Sequence, residues 1–122
     1  MLENTLLSVK YIVEANKLLS PDKNILLLEV LKQYDKDEYI YPGVIISKLD
    51  ITSEDTYKLL KVLEINDIIS KSFEIYCTEC DQFNGKIYDS FEDIPDEIYC
   101  NNCLNLIDPI EDTIVIYKVL VK

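Results

Sequence analysis

Ile68-Ile69-Ser70-Lys71-Ser72-Phe73-Glu74-Ile75-Tyr76-Cys77-Thr78-Glu79-Cys80 is where this chain changes character. Upstream of it, apolar residues recur at helical intervals. Within it, β-branched and aromatic residues run as they do in a strand, and the strand leads directly into a C-x2-C pair. A second such pair, Cys100-Asn101-Asn102-Cys103, follows Ile98-Tyr99 after a gap of 19 residues. A C-x2-C turn lets two sulfurs of one knuckle converge on an ion while backbone amides hydrogen-bond the thiolates. Two knuckles supply a tetrahedral sulfur set, the environment that structural zinc prefers.

Cys77, Cys80, Cys100 and Cys103 are therefore the expected ligands of one structural Zn2+. A mononuclear iron site and redox-active or disulfide-forming pairs are the competing readings. Four thiolates leave no open position for water or substrate, which argues against catalytic zinc. A ribbon of about fifty residues buries too little apolar surface to fold alone, so the metal is expected to supply much of its stability.

Working back from the strand, the first two-thirds of the chain reads as helical. Leu2, Leu6, Val9 and Val13 fall on one face, widened by Leu7, Ile12, Leu18 and Leu19. Ser20-Pro21 restarts the chain with a capping serine and a proline at the first helical position, and this second helix ends near Tyr34. Asp35-Lys36-Asp37-Glu38 is a polar break, and Tyr41-Pro42-Gly43 opens a short third helix ending near Leu49. Thr52 and Asp55 have capping-box spacing at the head of a fourth helix, whose buried side is Leu59, Leu60, Val62 and Leu63, with Ile65 a candidate at its end. Asn66 is expected to take the left-handed conformation at its end. Short helix, four-residue turn, longer helix and strand form the order of a winged helix-turn-helix.

Beyond Tyr76 only β-like pieces remain: Lys86-Ile87-Tyr88, Glu97-Ile98-Tyr99 and the alternating run from Thr113 to Val121, with Asn84-Gly85 as a turn signal. The expected fold class is α+β. A helical winged helix-turn-helix over residues 1–72 is followed by a small antiparallel β zinc ribbon over residues 73–122.

A winged helix running into a C-x2-C…C-x2-C ribbon resembles the N-terminal half of the archaeal and eukaryotic transcription factor E alpha subunit. It is also similar to small bacterial winged-helix/zinc-ribbon accessory proteins, some linked to phage defence. The resemblance covers roughly residues 23–122, and its specific motif is the four cysteines, which carry over as zinc ligands. The glycines that commonly follow such knuckles are replaced by Asp81-Gln82 and Leu104-Asn105. The resemblance implies that both modules mainly bind proteins.

Composition narrows the chemistry. Among 122 residues there is no histidine, so Ser-His-Asp and Cys-His catalysis are excluded and the absence points a structural zinc site to cysteine. The expectation is a non-enzyme. The net charge of −11 comes from 23 acids against 12 basic residues, all of them lysine. It is unevenly spread: −3 over residues 1–72 (nine lysines, twelve acids) and −8 over residues 73–122 (three lysines, eleven acids). Such a field repels phosphates and anionic membranes and attracts basic surfaces.

That balance weighs against DNA. The recognition-helix candidate, Ser53 to Ile65, sets Glu54, Asp55 and Glu64 against Lys58 and Lys61 and has no arginine for guanine. A DNA-binding reading would rest on Lys48, Lys58, Lys61 and Lys71. The leading expectation is instead an adaptor that docks a protein with a basic surface. Its acidic loop, Asp89 to Glu97, offers Phe91 and Ile94 as apolar anchors among Asp93, Asp96 and Glu97. A merely solvated loop is the plainer explanation of that charge run. A DNA-mimicking inhibitor of a basic partner is a third reading. The N-terminal helix can serve as a homodimerisation arm or cover the helical core. No signal peptide or transmembrane run is visible, so a cytoplasmic protein without membrane partners is expected.

Overall fold

The computed structural model describes residues 1–122. Its elements are α1 (Glu3–Asn16), α2 (Pro21–Leu31), β1 (Tyr39–Ile40), α3 (Pro42–Leu49), α4 (Ser53–Ile65), β2 (Ile69–Cys77), β3 (Gln82–Tyr88), a 3-10 turn (Phe91–Asp93) and β4 (Thr113–Val119). Four helices and one four-stranded antiparallel sheet, in the order β1-β4-β2-β3, make the fold α+β. No helix is long and apolar enough to cross a membrane.

The helix starts follow local chemistry. The Ser20 side chain accepts from the Lys23 amide at 3.4 Å, with Pro21 at the first helical position. Thr52 accepts from the Asp55 amide at 3.1 Å, satisfying a donor that the first turn of α4 would otherwise leave open. Thr56, Leu59, Leu60 and Leu63 then repeat at helical spacing and are all buried, whereas Ile65 at the helix end is 67% exposed. The end of α4 departs from expectation. Asn66 keeps a negative φ of −90° and its side chain donates to the Val62 carbonyl at 2.8 Å, while Asp67 takes the positive φ of 60°. Either residue tolerates that conformation, and the side chain's local bond decides which one adopts it.

The chain divides into two compact units: residues 1–70 with 117–122, and residues 71–116. The sequence pattern assigns everything after residue 72 to the ribbon. Tyr117–Lys122 instead group with the helices, because β1 pairs with the end of β4 through Tyr39↔Lys118 and Ile40↔Tyr117. β1 itself, two residues long, carries too little pattern to be legible beforehand. Bonds from Asp37 N to Val119 O and from Leu120 N to Ile68 O continue the pairing. The core of this unit includes Val9, Val13, Leu27, Leu31, Ile40, Ile45, Leu49, Leu59, Leu60, Leu63 and Val119.

The second unit is one uninterrupted stretch, entered along β2 and left along β4. Its core joins Ile75, Ile94, Ile98 and Ile107 to Cys77 and Cys100, flanked by Phe73, Tyr88, Cys80 and Cys103. Asn84-Gly85 does not make a hairpin turn here. Both lie inside β3, where the register slips between Glu74↔Ile87 and Tyr76↔Phe83, and Gly85 has φ 72°. An Asn-Gly pair supplies the positive φ that a bulge needs as readily as the one a turn needs. The piece Glu97-Ile98-Tyr99 shrinks to a single bridge, Tyr99↔Leu106.

Candidate metal centre

The hairpin between β2 and β3 closes at the first cysteine pair. Cys77 pairs with Gln82, so Thr78 to Asp81 form the turn and Asp81 takes φ 54°. The second pair is built in the same way without full strands. The Cys100 amide donates to Asn105 O at 2.9 Å, the Leu104 amide to Cys100 O at 3.0 Å, and Leu104 takes φ 63°. In each knuckle the residue after the second cysteine is left-handed, a conformation glycine adopts without cost and Asp81 and Leu104 do not.

The two turns bring the four sulfurs within 4.8 Å of one another. Cys77 and Cys103 Sγ lie 3.5 Å apart, and Cys80 and Cys100 Sγ 3.6 Å apart. Four sulfurs each ~2.3 Å from a central ion define a tetrahedron with edges of about 3.8 Å, so the cluster can hold one metal ion. All four cysteines are free thiols. Cys77 and Cys100 are buried and the other two half-buried, which makes the site part of the unit's core.

Each knuckle is held from outside by a carbonyl-type oxygen. The Thr78 amide and hydroxyl both donate to Asp112 Oδ1, at 3.0 and 2.5 Å. The Asn101 amide donates to Asn84 Oδ1 at 3.0 Å. Thr78 and Asn101 occupy the same place, one residue after the first cysteine of their pair. Asp112 is itself fixed: the Asp108 amide donates to its Oδ2 at 2.8 Å, and its own amide donates to Asp108 O at 2.8 Å. Burial opposes ionisation of Asp112, but the Thr78 hydroxyl and the amides of Asp108 and Thr78 outweigh it and hold the carboxyl below its ordinary range.

The electrostatics suit a cation. The amides of Cys103 and Asn102 donate to Cys100 Sγ at 3.5 and 3.3 Å and hold that thiol at about 6 despite its burial. Burial pushes Cys80 up to about 12, helped by sulfur contacts with Cys100, Cys77 and Cys103. Sulfurs this close accept one negative charge readily and further ones only if a cation joins them.

The other singled-out residues fall in different places. Phe91 is 44% exposed and stands edge-on to Phe73 with centroids 5.9 Å apart. Asp93, Asp96 and Glu97 are exposed. Ile94 is not available as an anchor: at 8% exposure it belongs to the core with the cysteines, because the 3-10 turn rotates it inward. Lys48 ends α3, Lys58 and Lys61 lie on α4, and Lys71 lies on β2, all of them exposed. Lys58 pairs with Glu54 at 3.3 Å. Asp112 and Asn84 join the site only through the fold, across 34 and 17 residues of chain. The signal for Asp112 was the Asp108-Pro109 turn ahead of it, since Asp108 Oδ1 accepts from the Ile110 amide at 2.9 Å.

No protein-family model, curated protein or solved structure matches this chain.

Proposed function

We propose that this is a non-catalytic zinc protein that works as an adaptor in a multi-protein assembly. The observation that carries the reading is the four-sulfur cluster closed by two matched knuckles inside a strongly acidic unit. Between residues 71 and 116 there are two lysines and eleven acids, a balance of −9, against −2 (ten lysines, twelve acids) for the rest. Zinc fits the donor set best, since it takes four thiolates in a tetrahedron and needs no redox partner. Its function there is structural: it adds to a hydrophobic core that is small in so short a stretch.

The element order supports a winged-helix reading of the first unit. α2, β1, α3, α4, β2 and β4 follow one another, and β1 pairs with β4 as the first and last strands of such a fold do. On this reading the cysteine unit is an elaboration of the wing, carried between β2 and β4, and not a module appended after it. The resemblance to transcription factor E alpha and to bacterial accessory proteins then concerns the two parts more than their order.

A protein with a complementary basic surface is the partner this charge selects, steered by Asp93, Asp96 and Glu97 with Phe91 as the apolar contact. Metal analysis of the purified chain should find one zinc per chain. Affinity purification with mass spectrometry should recover a basic protein, lost when Asp93, Asp96 and Glu97 are changed together to lysine. Salt-sensitive binding to duplex DNA at physiological ionic strength, with no protein captured, would overturn the reading in favour of a regulator.

A further inference from the structure

α1 has two apolar sides. Val9 and Val13 are buried in the helical core, while Leu7 and Ile25 of α2 remain 58% and 59% exposed. Between the two helices runs a groove of about 400 Å3 whose walls include Leu6, Leu7, Ile25 and Leu28. An exposed apolar groove beside exposed apolar ridges is a surface that can receive a copy of itself.

Charge decides the occupant. The chain as a whole is −11, so two copies repel over most of their surface. This groove is different: its lining holds three acids, Glu3, Glu14 and Glu29, and two lysines, Lys10 and Lys32. The lining nets only −1, so both signs are available for pairing between copies. The order of α1 is also self-complementary. If two α1 helices lie antiparallel with Leu6 of one against Leu7 of the other, the same register sets Lys10 of each opposite Glu3 of the other. A two-fold contact makes every such pair twice. Glu3 and Lys10 are exposed, and the chain's ion pairs use other residues.

We propose that the chain forms a symmetric homodimer through the α1–α2 groove, with Lys10 of each copy paired to Glu3 of the other. This does not depend on the metal or on the adaptor reading.

Sedimentation of the full chain across the micromolar range tests it. The expected result is a monomer–dimer equilibrium. Lys10→Glu turns two attractions into two repulsions and should weaken the dimer about tenfold, and Glu3→Lys with Lys10→Glu should restore it to within about twofold. Leu7→Glu, at an exposed position, should give a monomer with unchanged helix content. A wild-type chain that stays monomeric overturns the proposal. So does a dimer indifferent to Leu7→Glu, or a charge swap that fails to rescue.

Discussion

Asp112 Oδ1 accepts from both the backbone amide and the hydroxyl of Thr78, 34 residues earlier, at 3.0 and 2.5 Å. Thr78 lies between two of the clustered cysteines, and Asp112 immediately precedes β4. One buried carboxylate thus ties the first knuckle to the strand that closes the unit. The Tyr76 amide, donating to Asp112 O at 2.8 Å, repeats the tie through the backbone. Asn84 does the equivalent for the second knuckle through Asn101. The sulfur geometry therefore rests on two polar clamps as well as on the hairpins themselves.

Removing the first clamp should cost more than a surface change. Asp112 is 5% exposed and accepts charge-assisted bonds at both oxygens. Asp112→Ala is expected to destabilise the metal-loaded chain by about 2–3 kcal/mol, and Thr78→Val by about 1 kcal/mol, in chemical denaturation. A loss under about 0.5 kcal/mol for Asp112→Ala would mean the clamp contributes nothing net.

The same carboxylate sets a pH dependence. Its folded-state value lies below the ordinary 3.8, so its contribution is complete above that value. The contribution is lost only as pH falls through the lowered folded value. Carbon-detected NMR should find the Asp112 carboxyl still ionised at the lowest pH at which residues 71–116 stay folded, and protonation above 3.8 in the folded chain would contradict the hydrogen-bond account. Metal release follows separate chemistry, since protons compete directly for the thiolates.

Chelation should act unevenly. The core of residues 71–116 is built around Cys77 and Cys100, so removing the metal should unfold that unit. The helices, packed on Leu27, Leu31, Leu59 and Leu63, should keep most of their far-UV signal. Exchange-protected amides should vanish between residues 71 and 116 and persist in α2 and α4. Full protection of both units without metal would sink the structural role of the site.

Leu104 is an expected point of gain. It holds φ 63° while 75% exposed, so its side chain gains little from packing and its backbone is strained. Leu104→Gly should raise stability by about 0.5–1 kcal/mol, the left-handed penalty less the entropy of the added glycine. A loss of similar size in the free protein would show that the leucine packs in a way its exposure hides.

Two kinds of change in the acidic loop should separate cleanly. Ile94→Ala opens the core and should cost about 2–4 kcal/mol. Reversing the exposed Asp93, Asp96 and Glu97 should leave the melting midpoint within a few degrees while weakening capture of a basic partner. Thermal melts and pull-downs on the same two variants distinguish a packing residue from a docking surface.

Short-range chemistry was legible before any coordinates. Ser20-Pro21 and Thr52 mark helix starts because a cap bonds to an amide only three residues away, and C-x2-C marks a knuckle able to offer two sulfurs to one metal ion because both belong to one turn. The α+β class followed from the switch of period near Ile68. What the tertiary structure alone decided depends on groups distant in sequence. Asn84-Gly85 lies where the β2–β3 register slips and not at a hairpin turn, and Ile94 turns inward at the end of the 3-10 turn to join the cysteine core. The end of β4 joined the helices because two residues of β1 offered it a partner, and Asp112 acquired its place by reaching Thr78 across 34 positions. Local propensity acts over one turn of chain. Pairing and burial act across the fold, and at those positions they prevailed.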